Sequence, residues 1–193
     1  MQRLKLALEN LGKITDEDWM AFSKMWEPIS VGRKVHLTEP DQVEQYTYFV
    51  FEGIQRLYYL DNEGREATIV LTYEGDFGGI LDSFLLQVPS KYYYETLSKS
   101  VLIRCRYSDF EGILAAHPNL KLVFDKAIYQ AFSGTMMRLA ELQSLSSEEK
   151  FKKLLARSPH VLNKIPHKYL ANYIGIDATN FSKLINTVKI GVP

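Results

Sequence analysis

The chain holds one cysteine, Cys105, in 193 residues. A lone thiol excludes a disulfide framework within the chain and any cysteine-built metal site, an iron–sulfur cluster included. The N-terminal stretch MQRLKLALEN lacks the apolar core of a secretory signal. No segment approaches the ~20 consecutive apolar residues of a membrane helix. The four histidines, His36, His117, His160 and His167, are scattered and read as surface or capping residues. No residue argues for haem. There is no Gly-x-Ser-x-Gly, no phosphate loop and no pair of catalytic carboxylates. A cupin-like metal enzyme would need several histidines and a carboxylate around a metal, and the strands offer His36 alone. These absences point to a cytoplasmic protein that is not an enzyme, with no catalytic residues, no metal and no membrane partner.

Hydrophobic residues make up 46% of the chain and charged residues 24%, enough apolar surface for a true core and too little charge for disorder. The formal net charge is zero but unevenly spread. From Ser147 to Pro193 there are 8 Lys and Arg against 3 acidic residues, a net of +5, so the rest of the chain carries −5. A basic tail on an acidic body suits binding to a phosphate backbone.

That tail ends in a recognisable unit, IPHKYLANYIGIDATNFSKLINTV, from Ile165 to Val188. Pro166 suits a first helical position. Tyr169, Leu170, Tyr173 and Ile174 recur at helical spacing, Gly175 breaks it, and Asp177 can cap the next helix. Phe181, Leu184, Ile185 and Val188 form the apolar face of that helix. Helix, glycine turn, capped helix is the pattern of a helix-turn-helix. Asn180 and Lys183 are placed to read base edges, and Thr179, Ser182 and Asn186 to touch phosphates. Lys168 and Ala178 complete the expected DNA-binding set.

Upstream, helices are expected over residues 2–11 and Thr15 to Trp26, the second capped by Thr15. Strands are expected over Lys34 to Leu37, Tyr46 to Phe51, Ile54 to Leu60, Ala67 to Tyr73, Tyr92 to Leu97 and Val101 to Tyr107. Gly53, Gly64 and Gly75 fall eleven residues apart, the rhythm of strand-plus-turn units in an antiparallel roll. In the last strand Val101, Ile103, Cys105 and Tyr107 alternate with Leu102, Arg104 and Arg106, so one face is expected to be buried, with Cys105 a core residue. A short helix follows from Ser108, capped there or at Asp109. A long one runs over Asn119 to Leu145, with the small residues Ala127, Ala131 and Gly134 permitting close pairing with a second copy. Ser146 caps the next helix.

The order of these elements resembles the Crp/Fnr family of bacterial transcription regulators over nearly the whole chain. YTYFVFEGIQRLYYLDNEGRE is similar to the family's ligand-domain hairpin. YEGDFGGILDSFLLQVPSKYYYETLSKSVLIRC is similar to the segment with its phosphate-binding cassette. FKKLLARSPHVLNKIPHKYLANYIGIDATNFSKL is similar to its DNA-binding end, of a kind associated with Bacteroidetes-like members. The resemblance implies an α+β fold: an antiparallel β-roll (cyclic nucleotide-binding-like, a double-stranded β-helix) with flanking helices over 1–117, a dimerisation helix over 118–145, and an all-α helix-turn-helix domain over 146–193. It further implies a homodimer on a palindromic site in double-stranded DNA, gated by a small-molecule effector, with RNA polymerase as a further partner. The implied effector pocket comprises Gly75, Asp76, Phe77, Gly78, Gly79, Ser90, Lys91 and Tyr92, with Tyr93 or Tyr94 as further contacts. At the family's cassette arginine this chain reads Pro89-Ser90-Lys91-Tyr92, which argues against cyclic AMP, so no cofactor is assigned. The recognition helix is weakly charged, no C-terminal wing is expected, and a ligand sensor with degenerate DNA binding is the alternative.

Overall fold

The computed structural model describes residues 1–188, so Lys189, counted above in the basic tail, lies outside the described residues. Two short helices open the chain, α1 (Gln2–Leu11) and α2 (Asp16–Ser23). Thr15 and Asp18 form a reciprocal capping box at the start of α2. The second helix stops at Ser23, three residues before the expected Trp26, because the chain must extend into β1 (Glu27–Val31), a strand with no clear alternation.

The roll is two four-stranded antiparallel sheets. One has the order β1-β8-β3-β6, with β8 at Ser100–Arg106, β3 at Tyr46–Glu52 and β6 at Phe77–Gly78. The other has the order β2-β7-β4-β5, with β2 at His36–Thr38, β7 at Tyr93–Thr96, β4 at Gln55–Leu60 and β5 at Glu66–Thr72. Gly53, Gly64 and Gly75 have φ of 95°, 79° and 93°, so each turn in the eleven-residue rhythm occupies the left-handed region that glycine tolerates best. A short helix, α3 (Leu81–Leu86), follows β6 and was not foreseen. Strand β8 is buried on both faces: Leu102 is as inaccessible as Cys105, because Leu102 points into the core between the sheets while Ile103 and Cys105 point into the core beneath the helices. Burial pushes the Cys105 thiol up to about 12, consistent with an inert core residue.

Two cores fill this part. One lies between the sheets, around Tyr48, Leu57, Ile80, Tyr94 and Leu102. The other binds α1 and α2 to the outer face of the β3 sheet through Leu4, Phe22, Phe49, Phe110 and Phe124. Helix α4 (Tyr107–Ala116) belongs to this layer; it starts one residue early, with Arg106 in the capping position and no side-chain cap. His117, half-buried, takes the capping position between α4 and α5, as a capping histidine was expected to do. Its Nδ1 lies 2.9 Å from Asp18 Oδ1, and Asn119 Nδ2 donates to Asp18 Oδ2 at 3.1 Å, tying α2 to the start of α5 (Pro118–Ser144).

Helix α5 is buried only near its start, at Leu120, Val123 and Phe124. On another face Leu122, Tyr129, Phe132, Met136 and Leu139 are exposed, at 7-3-4-3 spacing. Large side chains therefore form an exposed seam on α5, and Ala131 and Gly134, on another face of the helix, are exposed as well.

The helical head consists of α6 (Ser147–Arg157), α7 (Val161–Lys164), α8 (His167–Tyr173) and α9 (Ala178–Thr187). Ser146 and Glu149 form its opening capping box. Its core continues into the roll through Ile54 and Leu97. Polar contacts fix its position. Asn172 of α8 accepts from Thr68 N–H at 2.6 Å and donates to Glu66 C=O at 2.7 Å, so one side-chain amide engages both groups of β5. Arg138 of α5 donates to the carbonyls of Ile69 and Tyr173 and stacks on the Tyr173 ring, joining helix, roll and head. Arg56, buried between Glu95 and Glu66, lies against the rings of Tyr58 and Tyr169. Replacing Asn172 by Ala leaves two backbone groups of β5 without a protein partner; the expected cost is about 1–3 kcal/mol, read as a lower melting temperature with faster hydrogen exchange at the Thr68 amide.

Candidate functional site

Two sites follow from this fold, one on the head and one in the roll. On the head, α8 ends in a tight reversal. Gly175 N–H donates to Asn172 C=O at 3.1 Å and Ile176 N–H to Ala171 C=O at 3.0 Å, with Gly175 at φ 66°. This paired closure satisfies two free carbonyls of the helix end and needs a left-handed residue at its centre. Pro166 sits one position earlier than expected, as the residue preceding α8. Asp177 then caps α9 by accepting from Asn180 N–H at 2.7 Å.

The two faces of α9 are sharply different. Phe181 is fully buried and Leu184 nearly so, held from beneath by Phe151, whose ring centroid lies 5.3 Å from that of Phe181. Ala178, Thr179, Ser182, Lys183 and Asn186 are exposed, and Asn180 is half-buried at the rim. Lys183 forms no ion pair among the described residues. Asn186 Nδ2 donates to Ser182 C=O at 3.0 Å, so it must exchange an internal bond for any external one. Lys168 is exposed on α8, its Nζ 4.8 Å from the Tyr169 ring centroid. The expected reading residues therefore share one outer face, carried by a packed inner one.

In the roll, the expected effector residues do not converge on one cavity. Phe77 turns the other way, onto Trp26, Phe49 and Phe124. Asp76 Oδ2 accepts from Tyr73 N–H at 3.0 Å within its own turn, and burial pushes its carboxyl up to about 6. Gly75 is exposed, and so is Lys91. Gly78 allows a close approach: a Cβ there would lie 2.1 Å from the Tyr94 hydroxyl oxygen. Tyr94 and Tyr48 fill the interior, ring centroids 5.6 Å apart. Tyr93 faces away, stacked on Tyr58, while Tyr92 packs against Tyr59. Ser90 is satisfied within the chain: its N–H donates to Gln42 C=O, its C=O accepts from Asp41 N–H, and its hydroxyl bonds to the backbone of Tyr92.

One residue at this place had no signal in the sequence. Glu44 is 1% exposed. Its Oε2 accepts from the Thr38 hydroxyl at 2.8 Å and from Ile80 N–H at 3.4 Å, and its Oε1 from Tyr46 N–H at 3.1 Å. Its own N–H donates to Ser83 Oγ at 2.9 Å. Burial pushes its carboxyl up to about 7, against the pull of those donors. Tyr48 and Tyr94 share this interior, and burial raises both phenols as well. A glutamate in the polar stretch Asp41-Gln42-Val43-Glu44-Gln45 reads as a solvated loop residue, which is why the sequence hides it.

No family model matches the chain, and no curated protein matches it. Solved structures do match. The c-di-GMP-responsive global regulator CLP of Xanthomonas campestris superposes with a TM-score of 0.66 at 14% identity, covering 89% of this chain and 90% of its own. FixK2 of Bradyrhizobium japonicum gives 0.73 at 13% identity, covering 83% of each. A Eubacterium rectale protein described as a transcriptional regulator of the Crp/Fnr family gives 0.69 at 16% identity, covering 90% and 82%. The chain has the fold of these regulators, an α+β architecture with a β-roll and a helical C-terminal unit.

Glu44 makes stability depend on pH. Its folded value lies above its ordinary value of 4.5, so the carboxyl contributes fully below that value and loses its contribution as pH rises through about 7. The gap in melting temperature between wild type and Glu44→Ala is therefore widest below pH 4.5 and narrows towards pH 7. The change corresponds to about 2–3 kcal/mol and is read from thermal melts across that range.

Proposed function

We propose that the chain is a DNA-binding transcriptional regulator of Crp/Fnr type, acting in the cytoplasm as a homodimer. The observation that carries this reading is the outer face of α9, where Thr179, Ser182, Lys183 and Asn186 stand in solvent on a helix anchored by Phe181 and Leu184. A helix so mounted enters a major groove with its N-terminal half against base edges. Asn180 suits adenine and Lys183 suits guanine; Thr179 and Ser182 suit phosphates. Lys168 supplies a further positive charge from α8.

The dimer follows from α5. An apolar seam of Tyr129, Phe132, Met136 and Leu139, with Leu122 two turns upstream, is more than a monomer ordinarily leaves in water. Its heptad spacing fits an identical helix across a two-fold axis. Two heads related in this way read a palindromic operator whose half-sites lie one helical turn, about 34 Å, apart. RNA polymerase is then the protein partner at the promoter. In this division residues 1–117 form the sensor-type roll, 118–145 the shared helix and 146–193 the reading domain.

Two outcomes are expected. Lys183→Ala weakens binding to the preferred operator by about 1–3 kcal/mol in a mobility-shift titration at fixed salt, and Asn180→Ala relaxes the preference at one base position. An affinity untouched by both substitutions rules out α9 as the reading element. Phe132→Glu places a charge in the seam and turns a dimer into a monomer in sedimentation, with loss of operator binding; a variant that remains dimeric removes α5 from the interface.

A further inference from the structure

The loop over residues 39–45 lies across the segment expected to hold an effector. Asp41 N–H and Gln42 C=O pair with both backbone groups of Ser90, and Val43 bridges to Pro89. The loop then delivers Glu44 inward. Three donors from three separate places meet its carboxyl: the Thr38 hydroxyl of β2, the Tyr46 N–H of β3 and the Ile80 N–H ahead of α3. Among the described residues no lysine, arginine or histidine forms an ion pair with it. Burying a carboxyl without a cation is costly unless each oxygen is hydrogen-bonded, and here each is. Gly79 keeps the approach open: a Cβ there would meet Tyr46 C=O at 3.1 Å and Glu44 Oε2 at 3.7 Å. Three donors converging where no cation stands are the chemistry that holds a small carboxylate.

Resting on the reading of the roll as a sensor-type domain, we infer that Glu44 is a built-in ligand, its carboxyl occupying the effector cleft in place of a diffusible molecule. The roll then holds its occupied arrangement without an external effector, and the ligand class of the emptied cleft is a short carboxylic acid.

Glu44→Ala tests this directly. The substitution removes a –CH2–COO⁻ unit, and acetate is that unit with one hydrogen added. Thermal melts are taken at about pH 5, where acetic acid and acetate coexist, in acetate and in chloride at matched ionic strength. In chloride the variant is expected to melt roughly 10 °C below wild type, the loss of a filled cavity and of partners for three donors. In acetate it recovers most of that loss with saturation, while wild type melts alike in both salts. If the variant is unfolded in chloride, folding on addition of acetate supports the inference and failure to fold overturns it. Equal melting of the variant in both salts overturns it too, as does an equal gain by wild type. A second measurement uses wild type and 3′,5′-cyclic AMP: the Ile80 and Tyr46 amide resonances are expected to stay in place, and a saturable shift overturns the inference. None of these readouts involves DNA, so their failure leaves the assignment of α9 untouched, and a failed operator assay leaves them untouched in turn.

Discussion

Arg56 lies at the point where roll and head meet, and the placement of the head depends on it. The guanidinium is 2% exposed and is held by Glu95 and Glu66 on its own sheet. Its flat face is 3.8 Å from the Tyr58 ring centroid and 4.6 Å from that of Tyr169 on α8. A buried cation survives only with such partners, since its desolvation is repaid by charge pairing and ring contact together. Lys34 adds a second cation over Tyr169 while pairing with the same Glu95. The helical head is thus seated on an ionic and aromatic joint, not merely tethered through α5. Arg138 supports the joint from the other side by binding carbonyls of both roll and head.

This seating shapes the functional reading. Helix α9 points its polar residues outward because its apolar ones are committed to the head's core, and that core is continuous with the roll through Ile54 and Leu97. Any rearrangement of the cleft around Glu44 reaches the head along a short route: Glu44 bonds Thr38 of β2, β2 pairs with β7, and β7 carries Glu95. Strand pairing thus links Glu44 to Glu95 within the roll, and the side-chain joint at Arg56 and Tyr169 links the roll to the head.

Much of this was legible in the sequence. Runs of β-forming residues bounded by turn signals located β3, β4, β5 and β8 to within about a residue, the glycine rhythm located the turns, and caps at Thr15, Ser146 and Asp177 located helix starts, because each is a local rule. The helix-turn-helix was legible for the same reason. What escaped was non-local or too short for a period. Strand β1 takes its place by pairing with β8, 77 positions away at Glu27 and Arg104, and α3 spans a single turn and a half. Small residues on α5 drew attention because they allow close approach; that Leu122, Tyr129, Phe132, Met136 and Leu139 also stand exposed follows from the burial of Leu120, Val123 and Phe124, which sets the helix's rotation. Glu44 was invisible: what sets it apart is burial, and nothing in its neighbours announces that.

The bond between Asn172 and β5 has one further consequence. Strand β5 is the last in its sheet, with β4 on one side only, and a terminal strand offers unpaired amides and carbonyls to any passing chain. By engaging Thr68 and Glu66, the head blunts that row where it would otherwise invite strand addition from another molecule. A roll produced without its head would carry a bare border, prone to stacking into aggregates, so the helical head also serves as the cover that keeps its neighbour from sticking to itself.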